Sequence, residues 1–188
     1  MTLMTPSAKL ALDRDGWTID DLYEIPEDGL RYELLDGMLL VSPPAVLGHY
    51  YSGSFKLGML LQAELGDEWR VGCNPGVSMG PQNYREPDLV VFRASALAKS
   101  LADAHAGDVL LVVEFMSPSS VTDDRVTKPA QYARAGIPHF WRLEQKGPPV
   151  LITGVLDSDA YRETGRFTDQ VEITDPVSLS FRLRDLLN

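Results

Sequence analysis

The run Val109-Leu110-Leu111-Val112-Val113-Glu114-Phe115 constrains this chain more than any other stretch. Five apolar residues lead into Glu114 and two follow it, the pattern of a strand covered on both faces, as at the centre of an α/β sheet. A carboxylate there is costly unless it is paired, protonated or bound to a metal. A second apolar run, Leu89-Val90-Val91-Phe92, follows directly on Arg85-Glu86-Pro87-Asp88. Two strand-length runs thus each carry an acid at or near one end. Two readings of Glu114 are open. One is a salt bridge to a nearby Arg or Lys. The other sets Asp88 and Glu114 on neighbouring strands around a shared divalent cation, because magnesium takes hard oxygen ligands from one or two carboxylates, completed by waters and phosphates. Lys128, near the start of a predicted helix, then supplies positive charge or orients a water on the same side.

A chain of 188 residues suits one domain, with 1–16 read as a disordered lead and 17–188 as the domain. No apolar run approaches the roughly 18 residues of a membrane span, and Met1 to Leu12 lacks the apolar centre of a signal peptide. The single cysteine, Cys73, excludes an internal disulfide framework and a cysteine-rich zinc site. It reads as a small core residue, and the compartment as the cytoplasm. The net charge of -10 opposes long-range attraction of nucleic acid. Arg125, Lys128, Arg134, His139, Arg142 and Lys146 nevertheless cluster after the acidic stretch, and a local positive face is enough to hold phosphates.

The rest of the pattern frames these runs. Thr18 and Asp21 form a capping-box signature for a short helix that ends before Pro26. Asp36-Gly37 between two β-prone runs predicts a hairpin. Val46 to Leu65 reads as a core-packing helix closed by Gly66, with Leu57, Leu60, Leu61 and Leu65 at helical spacing and Tyr50 and Phe55 adding bulk. Short strands are expected on either side of Asn74-Pro75-Gly76, and a helix over Ala94 to His105. Thr122 is expected to cap a helix to Ala135 that kinks at Pro129 or starts late with it in the first turn. His139 to Leu143, a hairpin over Val150 to Thr164, a strand at Val171 to Ile173 and a helix over Arg182 to Leu187 complete a mixed β-sheet flanked by helices, of the α/β (α+β) class.

Several segments together resemble a known family. They are Arg31-Tyr-Glu-Leu-Leu-Asp-Gly37, Ser42-Pro43 followed by His49, Glu86-Pro-Asp-Leu-Val-Val91 and Val113-Glu-Phe-Met-Ser-Pro-Ser119, with Asp124, Lys128, Tyr132, Gly136-Ile-Pro138 and Phe140-Trp141. In this order the chain resembles the Uma-type putative restriction endonuclease family of the PD-(D/E)XK nuclease superfamily, over roughly Trp17 to Leu143. The resemblance implies a restriction-endonuclease-like core, with an N-terminal hairpin and extra C-terminal strands, and a site at the sheet edge where the Asp and Glu strands diverge. It implies that Asp88 and Glu114 hold Mg²⁺ or Mn²⁺, with Glu33 as a further metal or supporting carboxylate. The motif lysine is absent, since Met116 stands two residues after Glu114. The family's lysine comes from the following helix, which makes Lys128 its equivalent. The catalytic set is then Asp88, Glu114 and Lys128, the substrate DNA, and the reaction phosphodiester hydrolysis.

Three further residues are candidates for substrate contact. His49 matches a family position, though a histidine near a helix start also serves as a capping or surface residue. Arg125 either touches a phosphate or pairs with Asp124. Tyr132, one helical turn after Lys128, either contacts substrate or packs the lysine stem. Asp124, one turn before Lys128, reads as an exposed helix pair worth only about 0.3–0.5 kcal/mol. The alternative to an enzyme is a nuclease-fold binding module without turnover, which Met116 and the acidic charge favour. A metal-free two-carboxylate glycosidase is less favoured, because few aromatics lie near Asp88 and Glu114. Cutting both strands of a duplex would be easiest for a two-fold homodimer.

Overall fold

The structure is a computed structural model that describes residues 16–43, 49–99, 103–116, 122–145 and 147–187, with backbone only over 49–52. The expected lead therefore lies outside the described residues, apart from Gly16. Helix α1 (Ile19–Tyr23) begins as its capping box predicts: Thr18 Oγ1 accepts from the Asp21 N–H, and the Asp21 carboxylate accepts from the Thr18 N–H at 2.9 Å. Strands β1 (Arg31–Leu35) and β2 (Met38–Ser42) pair antiparallel around Asp36 and Gly37. Both turn residues take positive φ, as a two-residue primed turn requires.

The chain then builds α2 (His49–Glu64) and a set of strands that divide between two sheets. They are β3 (Trp69–Cys73), β4 (Gly76–Ser78), β5 (Tyr84–Arg85), β6 (Leu89–Arg93), β7 (Asp103–His105) and β8 (Val109–Met116). After α3 (Lys128–Arg134) come β9 (His139–Glu144), β10 (Val150–Asp157) and β11 (Ala160–Phe167), then the ribbon of β12 (Gln170–Ile173) with β13 (Leu179–Arg182), and α4 (Leu183–Leu187). One sheet runs β11-β10-β9-β8-β6-β3 and the other β2-β1-β5-β4-β7. The architecture is the mixed α+β arrangement that the pattern predicts.

Strand β8 lies inside the larger sheet, between β6 (antiparallel) and β9 (parallel). Leu111, Val113 and Phe115 face α2, α4 and the ribbon, in one core with Leu57, Leu61, Trp141 and Leu143. Val112 faces the other way, with Val90, Phe92, Phe140, Tyr132 and Ile137. Both faces are covered, which is why the strand reads as an unbroken apolar run. Glu114 and Met116 share the face of Val112 by the two-residue period of the strand.

Several expectations are corrected. Ala94 to His105 is not one helix: a 3₁₀ segment (Ala94–Ala98) closes on the Lys99 N–H, and Asp103–His105 pairs in parallel with β4. Pairing to an available strand overrides alanine's helix preference there. The short strands expected on either side of Asn74-Pro75-Gly76 are present but belong to different sheets, since β3 pairs with β6 while β4 joins the smaller sheet. Cys73 is exposed, at the end of an outer strand, rather than in the core. Phe55 and Leu60 point outward from α2, while Leu57 and Leu61 are fully buried. Thr122 makes no side-chain cap, since the next turn is a π-turn (Asp123–Thr127) and Thr122 is itself helical. The α-helix starts after it, with Pro129 in its first turn. Among the described residues, no helix is long and apolar enough to cross a membrane.

Gly58 lets α2 approach the sheet. A Cβ there would meet Leu89 Cδ2 at 3.2 Å and Val71 Cγ1 at 3.5 Å. Replacing Gly58 by Leu is expected to destabilise the protein by about 1–3 kcal/mol through overpacking. Urea denaturation checks this; an unchanged midpoint would mean that the helix is not seated on β3 and β6 as described.

Candidate active site

Strand β6 starts at Leu89, opposite Val113 of β8. Continuing that register by one position sets Asp88 opposite Glu114, on the same face. The Asp88 carboxylate ends the pairing itself: its Oδ2 accepts the Phe115 N–H at 2.6 Å. Its other oxygen makes no hydrogen bond among the described residues. The two acids therefore sit near the ends of two neighbouring strands, β6 and β8.

Helix α3 covers this face and delivers the lysine. In the π-turn the Lys128 N–H bonds to the Asp123 carbonyl, five residues back. Lys128 Nζ lies 2.9 Å from Glu114 Oε2 and 2.9 Å from Asp124 Oδ1. The Tyr132 hydroxyl donates to Glu114 Oε1 at 2.8 Å. Glu114, Asp124, Lys128 and Tyr132 are 2%, 1%, 8% and 0% exposed. Asp124 and Lys128 are thus a buried pair, not the exposed one expected, because the helix lies flat on the sheet. Tyr132 acts on Glu114 rather than only packing the lysine stem. Met116 shares the Glu114 face but is apolar and buried, so the ammonium comes from the covering helix instead.

Electrostatics follow from this burial. Loss of water pushes the Glu114 carboxyl up to about 8, against the pull of the Lys128 charge, while Asp88 and Asp124 push it further up. Burial also raises Asp88, opposed by the Phe115 N–H and Lys128. Burial alone would lower Lys128, but Glu114 and Asp124 outweigh it and hold the ammonium firmly protonated.

A second layer connects the site to the smaller sheet. Arg85 is fully buried. It donates to Gln131 Oε1 at 2.8 Å, to Glu33 Oε2 at 3.1 Å and to both Asp123 oxygens at 3.3 Å. The other Glu33 oxygen accepts the Glu86 N–H at 3.0 Å. Glu33 is therefore turned to Arg85, not to the Asp88–Glu114 pair. Gln131 also donates to the Leu34 carbonyl at 3.1 Å and to Asn83 Oδ1 at 2.6 Å. Arg85 and Gln131 were not singled out from the sequence; the one available signal was an arginine directly before Glu86-Pro87-Asp88.

Arg125 pairs with Glu144, which also accepts from Arg142, and not with Asp124. His49 opens α2, and its side chain lies outside the described residues, as does Lys146. Among the described residues no three His, Cys, Asp or Glu side chains are gathered so as to hold a metal. Asp88 and Glu114 remain as a two-carboxylate set. That donor chemistry fits a magnesium or manganese ion with a largely water shell, and Asp88 has an oxygen to give.

A family model, Uma2, described as "putative restriction endonuclease", matches residues 19–184. The chain belongs to the Uma2 family. Its fold is similar to the crystal structure of a putative nuclease of the DUF820 group from Anabaena variabilis, with a TM-score of 0.69, 15% sequence identity, and coverage of 90% of this chain and 97% of that one. No curated protein matches the chain. In this Uma2 protein the departure from a strand-borne lysine has the geometric answer given above.

Replacing Lys128 by Met leaves Glu114 and Asp124 buried without their ammonium. The expected cost is about 3–5 kcal/mol by urea denaturation, and adding Glu114→Gln should recover part of it. For pH, the folded Glu114 carboxyl is raised from 4.5 to about 8, so the folded state holds an extra proton between those values. Its contribution to stability is fully present below about pH 4.5 and is lost as pH rises through about 8. The melting temperature of wild type should fall across that window more than that of Glu114→Gln; parallel curves would show that Glu114 does not titrate there.

Proposed function

We propose that this Uma2 protein is a nuclease that hydrolyses phosphodiester bonds of DNA with Mg²⁺ or Mn²⁺. The observation that carries the reading is the convergence of Asp88, Glu114 and Lys128 on one face at the ends of two paired strands. Family membership supports the reaction class. Asp88 and Glu114 would hold the cation. Bound there, a divalent ion supplies Lewis acidity at a phosphoryl oxygen and a more acidic water.

The chain's own residues divide the remaining work. Lys128 stays charged, so it cannot serve as the base; it offers an N–H donor and positive charge to the phosphate as negative charge develops. Asp124 also holds the ammonium, at 2.9 Å. Tyr132 fixes the orientation of Glu114 by its hydroxyl. Arg85, through Asp123 and Gln131, ties down the turn and helix that carry the lysine. We place the protein in the cytoplasm, where a lone thiol stays reduced, and a homodimer would bring two such sites to the two strands of a duplex. The second reading, a binding module without turnover, draws on Met116 in the motif position and on the net charge of -10.

Plasmid nicking separates the two. Purified protein is expected to nick in Mg²⁺ or Mn²⁺ and to stop in EDTA. Asp88→Ala should abolish nicking, Glu114→Gln should abolish metal binding in calorimetry, and Lys128→Ala should slow nicking about 10²–10³-fold. Folded wild type that leaves the plasmid intact in both metals would overturn the enzyme in favour of the module.

A further inference from the structure

A single row of residues crosses the larger sheet on the face of the site. Glu114 stands opposite Arg142 in the parallel pairing of β8 and β9. Arg142 stands opposite Ile152 on β10, and Ile152 opposite Arg166 on β11. With Asp88 at one end, the row reads Asp88, Glu114, Arg142, Ile152, Arg166: acids over the first two strands, guanidiniums over the far ones. The β10–β11 pairing shifts register between Thr153 and Gly154, which brings Glu163 within reach of Arg166 on that face.

Glu144, the next residue of β9 on this face, gathers the positive charge. Arg142 donates to it at 2.9 Å, and Arg125 reaches it from the π-turn above with two donors. One carboxylate is thus shared by two guanidiniums. Arg125 and Arg166 are about half exposed, at 48% and 52% of their side chains, so the cluster opens to water where the buried Lys128 does not. Three arginines against Glu144 and Glu163 leave this end of the row one net positive charge, in a chain of net charge -10. Guanidinium forks match phosphate oxygens in pairs, and a carboxylate held by them is a placeholder of the same geometry. Strands lie about 4.8 Å apart, so Arg166 sits roughly 14 Å along the row from Glu114.

We propose that Arg125 and Arg142, joined through Glu144, and Arg166, paired with Glu163, form a binding strip for the phosphodiester backbone on one side of the cleaved bond. The strip rests on the nuclease reading for its substrate, and it gives that substrate a direction: the strand leaves the carboxylates across β9 toward β11. Arg142 and Arg166 are positioning residues, not catalytic ones.

The test is binding of the full chain to a short fluorescent DNA duplex, followed by anisotropy over a salt titration in Mg²⁺. Every protein carries Asp88→Asn so that no strand is cut. Each of Arg125→Ala, Arg142→Ala and Arg166→Ala should weaken binding and lower the slope of log K against log salt by about one unit, while Arg142→Lys keeps most of the slope. Arg93→Ala, an equal charge change at the opposite end of β6 and half exposed, should leave the slope alone. Melting temperatures confirm that each variant is folded. An unchanged slope in the three variants, an equal loss in Arg93→Ala, or no measurable binding at low salt would overturn the strip. Nicking by wild type is read separately: cutting with an unchanged slope removes only the strip, and lost slope without cutting removes only the nuclease.

Discussion

A carboxylate inside a strand covered on both faces is the constraint on which the rest depends. Glu114 loses its water on every side, and Lys128 answers with one positive charge shared with Asp124. The exchange does not balance. Three carboxyl groups, those of Glu114, Asp124 and Asp88, share one ammonium, and burial keeps a proton on Glu114 up to about pH 8. A desolvated pocket with more carboxyl groups than ammoniums is one in which a divalent cation could replace such a proton. The site's chemistry and its structural cost are therefore the same fact seen twice.

That cost is met by parts far apart in the chain. The lysine's helix is held to the smaller sheet by Gln131, which bonds to the Leu34 carbonyl, and by Arg85, which grips Gln131, Glu33 and Asp123 at once. The N-terminal hairpin thus acts as a buttress to the turn before Lys128. A buried arginine with three partners of both kinds, acidic and amide, loses little freedom on binding any one of them. It makes the position of the ammonium a property of two sheets rather than of one helix.

Legibility in the sequence tracks how local each feature is. The Thr18–Asp21 cap and the Asp36-Gly37 turn involve neighbours in sequence, and both formed as expected. The two-face burial of β8 was legible because period and composition state it directly. Asp88, Glu114 and Lys128 were also singled out, since acids at strand ends are conspicuous. Arg85, Gln131 and the role of Tyr132 were not, because their partners lie between 18 and 97 residues away. The π-turn left no local signal either, and Asp103–His105 became a strand only because β4 lay beside it. Cys73 is exposed because it ends an outer strand, which is a fact of topology and not of composition.

The wide turn at Asp123–Thr127 has a consequence for how such sites diversify. Where acid and lysine sit two apart on one strand, their separation is set by the pleat and cannot drift. Here the lysine rides on a different element, joined to the acid by a connecting stretch whose length the sheet does not dictate. Insertions or losses in that stretch can be absorbed by tightening or loosening one helical turn, so a motif search with a fixed interval would pass over chains that keep the same cluster of charges.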